Sequence, residues 1–247
     1  MRQYWNAFWM CQSMFCAIPC PCRIWDEKAR PKMLLFLPVV GLEIGLLWAG
    51  LAFLWGYFHL PRLVGGLALC AFPYLISGFI HLDGFLDVTD AVGSCRDMEK
   101  RRAILKDSHV GSFAVIGCVL LIAAQFAFCA SAAGNFLILI FIPVVSRCCS
   151  ALAVTVLRPM STSQYAGAFR AGVSKGQPIF LGVTLAAAIG VAFLLCGKAG
   201  FSLLGGLLGY AAALRKGFRA LGGINGDIAG YALTLSELTS LAVWAFL

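Results

Sequence analysis

Seven apolar stretches constrain the fold of this chain more than any other feature of its sequence. They lie at about 33–58, 62–81, 110–131, 135–157, 178–196, 200–214 and 228–247. A transmembrane helix needs roughly 17–25 predominantly apolar residues, so the sixth stretch is short and is expected to extend into its flanks or to be re-entrant. The pattern predicts an all-α, polytopic membrane helical bundle of about seven transmembrane helices.

The composition excludes a water-soluble fold. Of 247 residues, 61% are hydrophobic and 12% are charged, whereas a soluble domain carries about 25% charged residues. No segment is long enough to act as a linker, so we expect a single integral membrane domain over residues 1–247. The net charge of +8 suggests nucleic acid in a soluble protein. Here the lipid bilayer is the expected partner, and nucleic acid is not.

The basic residues predict which side of the membrane each loop faces. Sixteen of the 19 Lys and Arg residues fall in 1–32, 82–109, 158–177 and 215–227, which alternate with the remaining loops. Cytoplasmic loops carry an excess of Lys and Arg, so the N-terminus and these three loops are predicted to be cytoplasmic. The polar motifs lie in the same loops, and any active site is therefore expected to open to the cytoplasm.

Residues 1–22 are expected to form an interfacial amphipathic helix rather than a signal peptide. Trp5, Phe8 and Trp9 suit the headgroup region, and Pro19 and Pro21 stand where a signal peptide would have small residues. The eleven cysteines lie mostly in apolar runs without zinc-site spacing. They are interpreted as small hydrophobic residues in a reducing compartment.

An acid-rich segment directly follows the second apolar stretch. Asp83, Asp87 and Asp90 are spaced by four and three residues, which places them within roughly 60° of arc on a helix. Clustered carboxylates at a membrane boundary are costly unless a cation neutralises them, and oxygen ligands suit Mg²⁺ or Mn²⁺. Gly84 leaves room for a phosphate. The alternative is a solvated helix end, which does not explain such a concentration of acids.

Three further features are candidates for anion binding. Lys106 and Ser108 follow the acids and would hold phosphate oxygens, although juxtamembrane basic residues often only set topology. Arg147 lies deep in the fourth apolar stretch and would face an anionic substrate or an acid such as Glu43.

The glycine-rich segment 222–226 allows close backbone approach. Asp227, which follows it, either caps the last helix or completes a metal site. Glu237, further along the last stretch, is a functional acid or a buried protonated one.

These motifs, in this order, resemble the cobalamin synthase family of adenosylcobinamide-GDP ribazoletransferases. The resemblance covers nearly the whole chain and is strongest in the acid-rich segment. Its motifs are residues 17–21, 36–41, 81–90, 105–111, 158–159 and 222–227. Each motif is weak alone, but five or more in register across a seven-span pattern are specific.

The resemblance implies a Mg²⁺-dependent transferase in the cell inner membrane. It would join the adenosylcobinamide-phosphate of adenosylcobinamide-GDP to α-ribazole or α-ribazole 5′-phosphate, releasing GMP and completing the nucleotide loop of cobalamin. Homo-oligomers, or complexes with other enzymes of the pathway, are compatible with it. The acceptor of the hydroxyl proton is one of the acids or a metal-bound water.

The same resemblance assigns the site residues. The catalytic acids would be Asp83, Asp87 and Asp90, which with Asp227 would bind the metal. The predicted phosphate-binding residues belong to three of these motifs, together with the intramembrane Arg147: Gly84, Lys106, Asp107, Ser108, Gly111, Arg147, Gly223 and Asn225.

The sequence departs from the family pattern at a few positions, namely Leu86, Val88, His109, Ala114 and Thr234, and it lacks an arginine in 163–167. These departures bear on substrate affinity more than on the reaction class.

Two rival interpretations have less support. A CDP-alcohol phosphotransferase would have Ala-Arg after the Asp-Gly pair, and here Gly84 is followed by Phe85, Leu86 and Asp87. A small transporter would carry polar residues near the midplane of several spans and often an inverted repeat. This chain concentrates its polar residues at one face.

Overall fold

A computed structural model describes residues 1–22, 24–132, 134–161, 164–170 and 172–247, except for the side chains of 164–166. Residue 163 and those side chains belong to the loop that lacks the expected arginine, so that loop lies largely outside the described residues. Helices account for the regular structure of the described chain, and none of it forms a strand. The helices are α1 (Arg2–Phe15), α2 (Arg30–Met33), α3 (Leu37–Tyr57), α4 (Arg62–Ile76), α5 (Ile80–Gly93), α6 (Met98–Ile104), α7 (Ser112–Ser131), α8 (Ile138–Val156), α9 (Gln164–Arg170), α10 (Gly176–Cys196), α11 (Phe201–Leu221) and α12 (Gly226–Ala245).

Helix α8 lies at the centre of the bundle, in contact with α3, α10, α11 and α12. In the most apolar 18-residue segment of α8, 89% of the residues are buried inside the protein, whereas in that of α7 only 22% are buried. A helix that is apolar on all sides and faces lipid on most of them is expected in a membrane bundle, while the central helix packs on protein. The all-α membrane bundle predicted from the sequence is confirmed.

Small residues let α3 and α8 approach each other closely. A Cβ atom built on Gly41 would lie 2.6 Å from the carbonyl oxygen of Pro143, and one built on Gly45 would lie 2.2 Å from that of Ile140. Helices in lipid associate through such close packing because the solvent offers no hydrophobic driving force between them. The glycines on this face of α3 therefore set its distance from α8.

Helix α4 ends at Ile76, and the chain turns by 90° before α5 begins at Ile80. Phe79 adopts the left-handed conformation at this turn, with φ of 61°. The sequence predicts one stretch over 62–81, but the acid-rich segment forms a separate helix that runs across the direction of α4. Helix α5 ends at Gly93. Asp97, which would extend the acidic face of an unbroken helix, instead accepts a hydrogen bond from the Lys100 amide as the N-cap of α6.

Helices α10 and α11 follow each other without an intervening loop in the segment Gly176–Leu221, and a 3₁₀ turn at Gly197–Gly200 joins them. The Leu195 carbonyl, near the end of α10, accepts a hydrogen bond from Asn135, just before α8. Beyond the end of α11, Ile224 pairs with Pro159, just after α8. The two helices therefore run along α8 in opposite directions, and α11 extends seven residues beyond the predicted sixth stretch.

Five helical segments of the described chain are long and apolar enough to cross a membrane, or up to six if α4 and α5 form one broken span. The 46-residue segment that contains α10 and α11 counts once in that number. The multi-pass architecture follows from these helices. The count of seven spans and the cytoplasmic position of the N-terminus stay predictions.

Helix α1 covers Arg2–Phe15 of the segment 1–22, and one face of it, with Ala7, Met10 and Cys11, is buried against the rest of the protein. Its position at the membrane interface stays a prediction. Trp5 remains 58% exposed on another face. The backbone amide of Ala17, just after α1, donates to the carbonyl of Ile76 at 2.7 Å. This contact ties the end of α1 to the turn between α4 and α5.

We predict that Gly45→Ala lowers the free energy of unfolding by about 1–3 kcal/mol, because the new methyl group overlaps the α8 backbone. Gly50→Ala is the matched control on the same helix, since nothing lies within 4 Å of its added Cβ. Loss of a glycine there should leave stability unchanged or slightly raise it. Thermal unfolding in detergent measures both variants. Equal unfolding temperatures for the two would contradict the close α3–α8 packing.

Candidate active site

The acid-rich helix α5 crosses the first turns of α12 at close range. A Cβ atom on Gly84 would lie 2.9 Å from both the Cα and the carbonyl oxygen of Asp227, and one on Gly230 would lie 3.3 Å from the backbone of His81. The hydroxyl of Thr234 donates to the His81 carbonyl at 3.2 Å. The crossing brings together two motifs that are more than 130 residues apart in the sequence.

The start of α12 is fixed by Asn225. Its side-chain oxygen accepts from the Ile228 amide at 2.9 Å, and its side-chain nitrogen donates to Oδ2 of Asp227 at 2.6 Å. Asn225 is therefore the N-cap, and Asp227 lies in the first turn without capping the helix. The sequence leaves open whether Asp227 caps α12 or belongs to a metal site, and the structure removes the first role.

The glycine-rich segment before α12 is held against the residues that follow α8. The Met160 amide donates to the Ile224 carbonyl at 2.8 Å, and the Ile224 amide donates to the Arg158 carbonyl at 3.0 Å. A Cβ atom on Gly223 would lie 2.5 Å from Cα of Met160. Gly223 is predicted to bind substrate, and the structure shows that it also lets these two backbones meet.

The predicted catalytic acids share one side of α5 and face a narrow groove. Asp83 is exposed, while Asp87 and Asp90 are half-buried. Both oxygens of Asp90 lie against Gly111, where a Cβ would come within 2.2 Å of each, and Oδ1 accepts from the Ala114 amide at 3.4 Å. The first turn of α7 thus offers its positive dipole end to this acid.

The opposite wall of the groove is the segment between α6 and α7. Asp107 and His109 line it together with the three acids of α5. The Asp107 carboxylate accepts from the backbone amide and the ring of His109, and these hydrogen bonds lower the pKa of Asp107. Lys106 and Ser108 are exposed beside it. Their segment borders the groove through Asp107 and His109, neither Lys106 nor Ser108 lines it, and their contact with a phosphate stays a prediction.

The four aspartates fit a divalent cation in donor type and in charge. The charges that act on Asp87 are those of Asp83, Asp227 and Asp90, and each contributes only carboxylate oxygens, as hard cations require. Asp83 also lines three separate cavities, so it stands where they meet. Among the described residues, no three His, Cys, Asp or Glu side chains lie close enough together to coordinate one metal ion as they stand.

Arg147 lies apart from this acidic region. Its side chain is 1% exposed, and its guanidinium donates to Oε1 of Glu237 at 2.8 Å, where Ser146 also donates at 2.9 Å. The suggestion that Glu43 pairs with Arg147 is wrong: the partner is Glu237, on α12. Arg147 lines none of the cavities that the acids line, and its contact with a phosphate stays a prediction.

His81 is the residue that the sequence reasoning did not select. It is 8% exposed, and its ring stacks on Phe15 of α1 with centroids 6.0 Å apart and planes 12° apart. Its Nε2 is buried without a hydrogen-bond partner among the described residues. The ring lines the same cavity as Asp83 and Asp227. Its place at the head of the acid-rich segment was the available signal.

The fold is that of a multi-pass membrane protein with its polar motifs assembled where α5 crosses α12, and the comparisons make it a transferase. The chain belongs to the cobalamin-5-phosphate synthase family, whose model matches residues 7–245. The match sets aside the two rival interpretations. No solved structure matches the chain.

Curated relatives agree with the family. The adenosylcobinamide-GDP ribazoletransferase of Clostridium perfringens strain SM101 is 37% identical over 246 residues, which cover 98% of each chain. The proteins of the same name from Clostridium botulinum strain Alaska E43 and from Brevibacillus brevis are 32% and 33% identical. Those alignments cover 98% and 96% of this chain, and 97% of each relative.

We predict that removing either member of the buried ion pair destabilises the protein by about 3–5 kcal/mol, because the other charge is left unpaired. Glu237→Leu should show this loss, and the double variant Arg147→Met with Glu237→Leu should recover most of it. Unfolding in detergent measures the stability of the unsubstituted protein, of Glu237→Leu and of the double variant. A double variant that folds and keeps turnover would place Arg147 in the scaffold, whereas one that folds without turnover would favour contact with a phosphate. Single variants as stable as the unsubstituted protein would contradict the pair's importance.

Proposed function

We propose that the chain transfers the adenosylcobinamide-phosphate group of adenosylcobinamide-GDP to α-ribazole or α-ribazole 5′-phosphate, releasing GMP and forming adenosylcobalamin or its 5′-phosphate. The names of the relatives support this reaction. The observation that carries it is the contact of Gly84 with the Asp227 backbone. This contact places the acid-rich segment against the Gly-Asp segment, so that the aspartates of both contribute to one site.

In this reaction a ribose hydroxyl of the acceptor attacks the phosphorus nearest the cobinamide. The bond from that phosphorus to the GMP oxygen breaks, and the hydroxyl proton passes to a base. Negative charge develops on the leaving GMP, so neutralisation and positioning account for most of the catalysis. A groove lined by acids, with the exposed Lys106 on the segment that borders it, suits this reaction.

We propose Asp83, Asp87 and Asp90, with Asp227, as the residues that would hold Mg²⁺. The bound ion would supply charge neutralisation for the phosphate oxygens. Lys106 and Ser108 would bind and orient the same phosphates from the opposite wall of the groove. Gly84 lets α5 lie against Asp227, and Gly111 lets the first turn of α7 lie against Asp90. One of the acids accepts the proton of the attacking hydroxyl.

We further propose that the site opens to the cytoplasm from the cell inner membrane. The support is the distribution of charge, because the loops that form the site carry most of the Lys and Arg residues. Arg102, one of these residues, donates to the Leu221 carbonyl at 2.8 Å and so joins the α6 segment to the end of α11. The basic loops are therefore packed against each other at the end of the bundle that holds the acids.

We predict that Asp87→Asn lowers turnover by roughly a hundredfold or more, because it removes one negative ligand from the acidic face. The assay supplies adenosylcobinamide-GDP, α-ribazole and Mg²⁺ to purified protein in detergent, and chromatography follows GMP and cobalamin. Glu99→Gln is the matched control, since it removes one exposed acid of α6 that does not line the groove. Full activity of Asp87→Asn would overturn the assignment, and absence of product from the folded, unsubstituted protein would overturn the function.

We predict that chelation of divalent cations with EDTA abolishes GMP release and that added Mg²⁺ restores it. The reason is the concentration of uncompensated carboxylates, which leaves the phosphate charge unscreened when no cation is present. A titration of Mg²⁺ against initial rate should show half-saturation at a higher concentration for Asp90→Asn than for the unsubstituted protein. Turnover that persists in EDTA would remove the metal from the proposal.

A further inference from the structure

A cavity of about 340 Å³ lies between α1, α5, α8 and α12, next to the acidic groove. Its polar end is formed by His81, Asp83, Asn225 and Asp227, with Ser150 on α8. The remaining wall is apolar and includes Met14, Phe15, Leu34, Leu37, Val154 and Phe169. The cavity is therefore amphipathic, with its polar end at the crossing of α5 and α12.

We infer that this cavity is the binding site of the acceptor nucleoside, with the aromatic base against the apolar wall and the ribose at the polar end. This inference rests on the proposed function. A volume of about 340 Å³ is near the lower end for ligand sites. Of the two substrates, α-ribazole, which is a benzimidazole riboside, suits that size. Adenosylcobinamide-GDP, which is a corrinoid joined to a nucleotide, is far too large for it.

The lining matches the chemistry of such a nucleoside. Its base is flat and largely apolar, and Phe15, which is held in place by stacking on His81, offers an aromatic face on the apolar wall. Its ribose carries hydroxyl groups, and one of them would supply the hydrogen-bond partner that the buried Nε2 of His81 lacks among the described residues. A hydrocarbon tail, the other plausible occupant in a membrane, would leave the buried Nε2 of His81 without a hydrogen-bond partner.

The position of Asp83 links this cavity to the transfer reaction. Asp83 lines both the cavity and the groove that holds Asp87 and Asp90. A ribose hydroxyl at the polar end of the cavity therefore meets the groove at Asp83, where a phosphate of the donor would lie. The two substrates approach from different sides and react at one acid.

The test changes the size of the cavity at Val154, a half-buried residue of α8 on its apolar wall. Val154→Phe fills part of the cavity and should raise KM for α-ribazole by roughly tenfold or more, while KM for adenosylcobinamide-GDP changes by less than about twofold. Val183→Phe is the matched control, because Val183 is 63% exposed on α10 and outside the cavity. That variant should behave as the unsubstituted protein does.

The reverse substitution, Val154→Ala, enlarges the cavity and is expected to shift kcat/KM toward a riboside with a larger base, such as naphthimidazole. If Val154→Phe does not fold, this change of preference decides the matter. An unchanged base preference, or a rise in KM for the donor alone, overturns the inference. Equilibrium dialysis with α-ribazole alone separates the two proposals: binding that Val154→Phe abolishes supports the cavity even if turnover fails, and turnover with unaltered binding refutes the cavity alone.

Discussion

The contact between Gly84 and the backbone of Asp227 is the constraint on which the site depends. A side chain larger than hydrogen at position 84 would separate α5 from α12, because its Cβ would already lie 2.9 Å from the Asp227 backbone. Thr234 strengthens the same crossing by donating to the His81 carbonyl. The resemblance marks Thr234 as a departure from the family pattern, and in this chain the residue supports the crossing directly.

Hydropathy alone predicts most of the bundle, because lipid forces every backbone polar group of a span to be satisfied within its own helix. The predicted stretches therefore coincide with α3, α4, α7, α8, α10, α11 and α12 to within a few residues, apart from the shorter α4 and the longer α11. The 90° turn before α5 was not predictable in this way. It depends on Phe79 in a left-handed conformation, and hydropathy carries no information about the sign of φ.

The sequence alone identifies the acid-rich segment and the glycine-rich segment. The spacing of Asp83, Asp87 and Asp90 along the chain also predicts that they share one face of a helix. Partners distant in sequence were harder to predict. Glu43 and Glu237 both lie within apolar stretches of the sequence, and only the packing of α8 against α12 shows that Glu237 is the partner of Arg147. The packing of α1 over His81 through Phe15 is a similar case, since an amphipathic pattern shows which face is apolar but not what covers it.

The junction of the cavity and the groove at Asp83 also bears on how the product would depart. In the proposed reaction, transfer joins the nucleoside to the corrinoid by a covalent bond, so a product whose base occupied the cavity would leave by withdrawing that base from between α1 and α8. Contacts that retain the nucleoside before the reaction resist this withdrawal afterwards. An acceptor site lined by aliphatic and aromatic side chains, with few polar groups beyond its entrance, holds the base without directional bonds. Such a lining would bind the base of the acceptor and still let the base of the product leave.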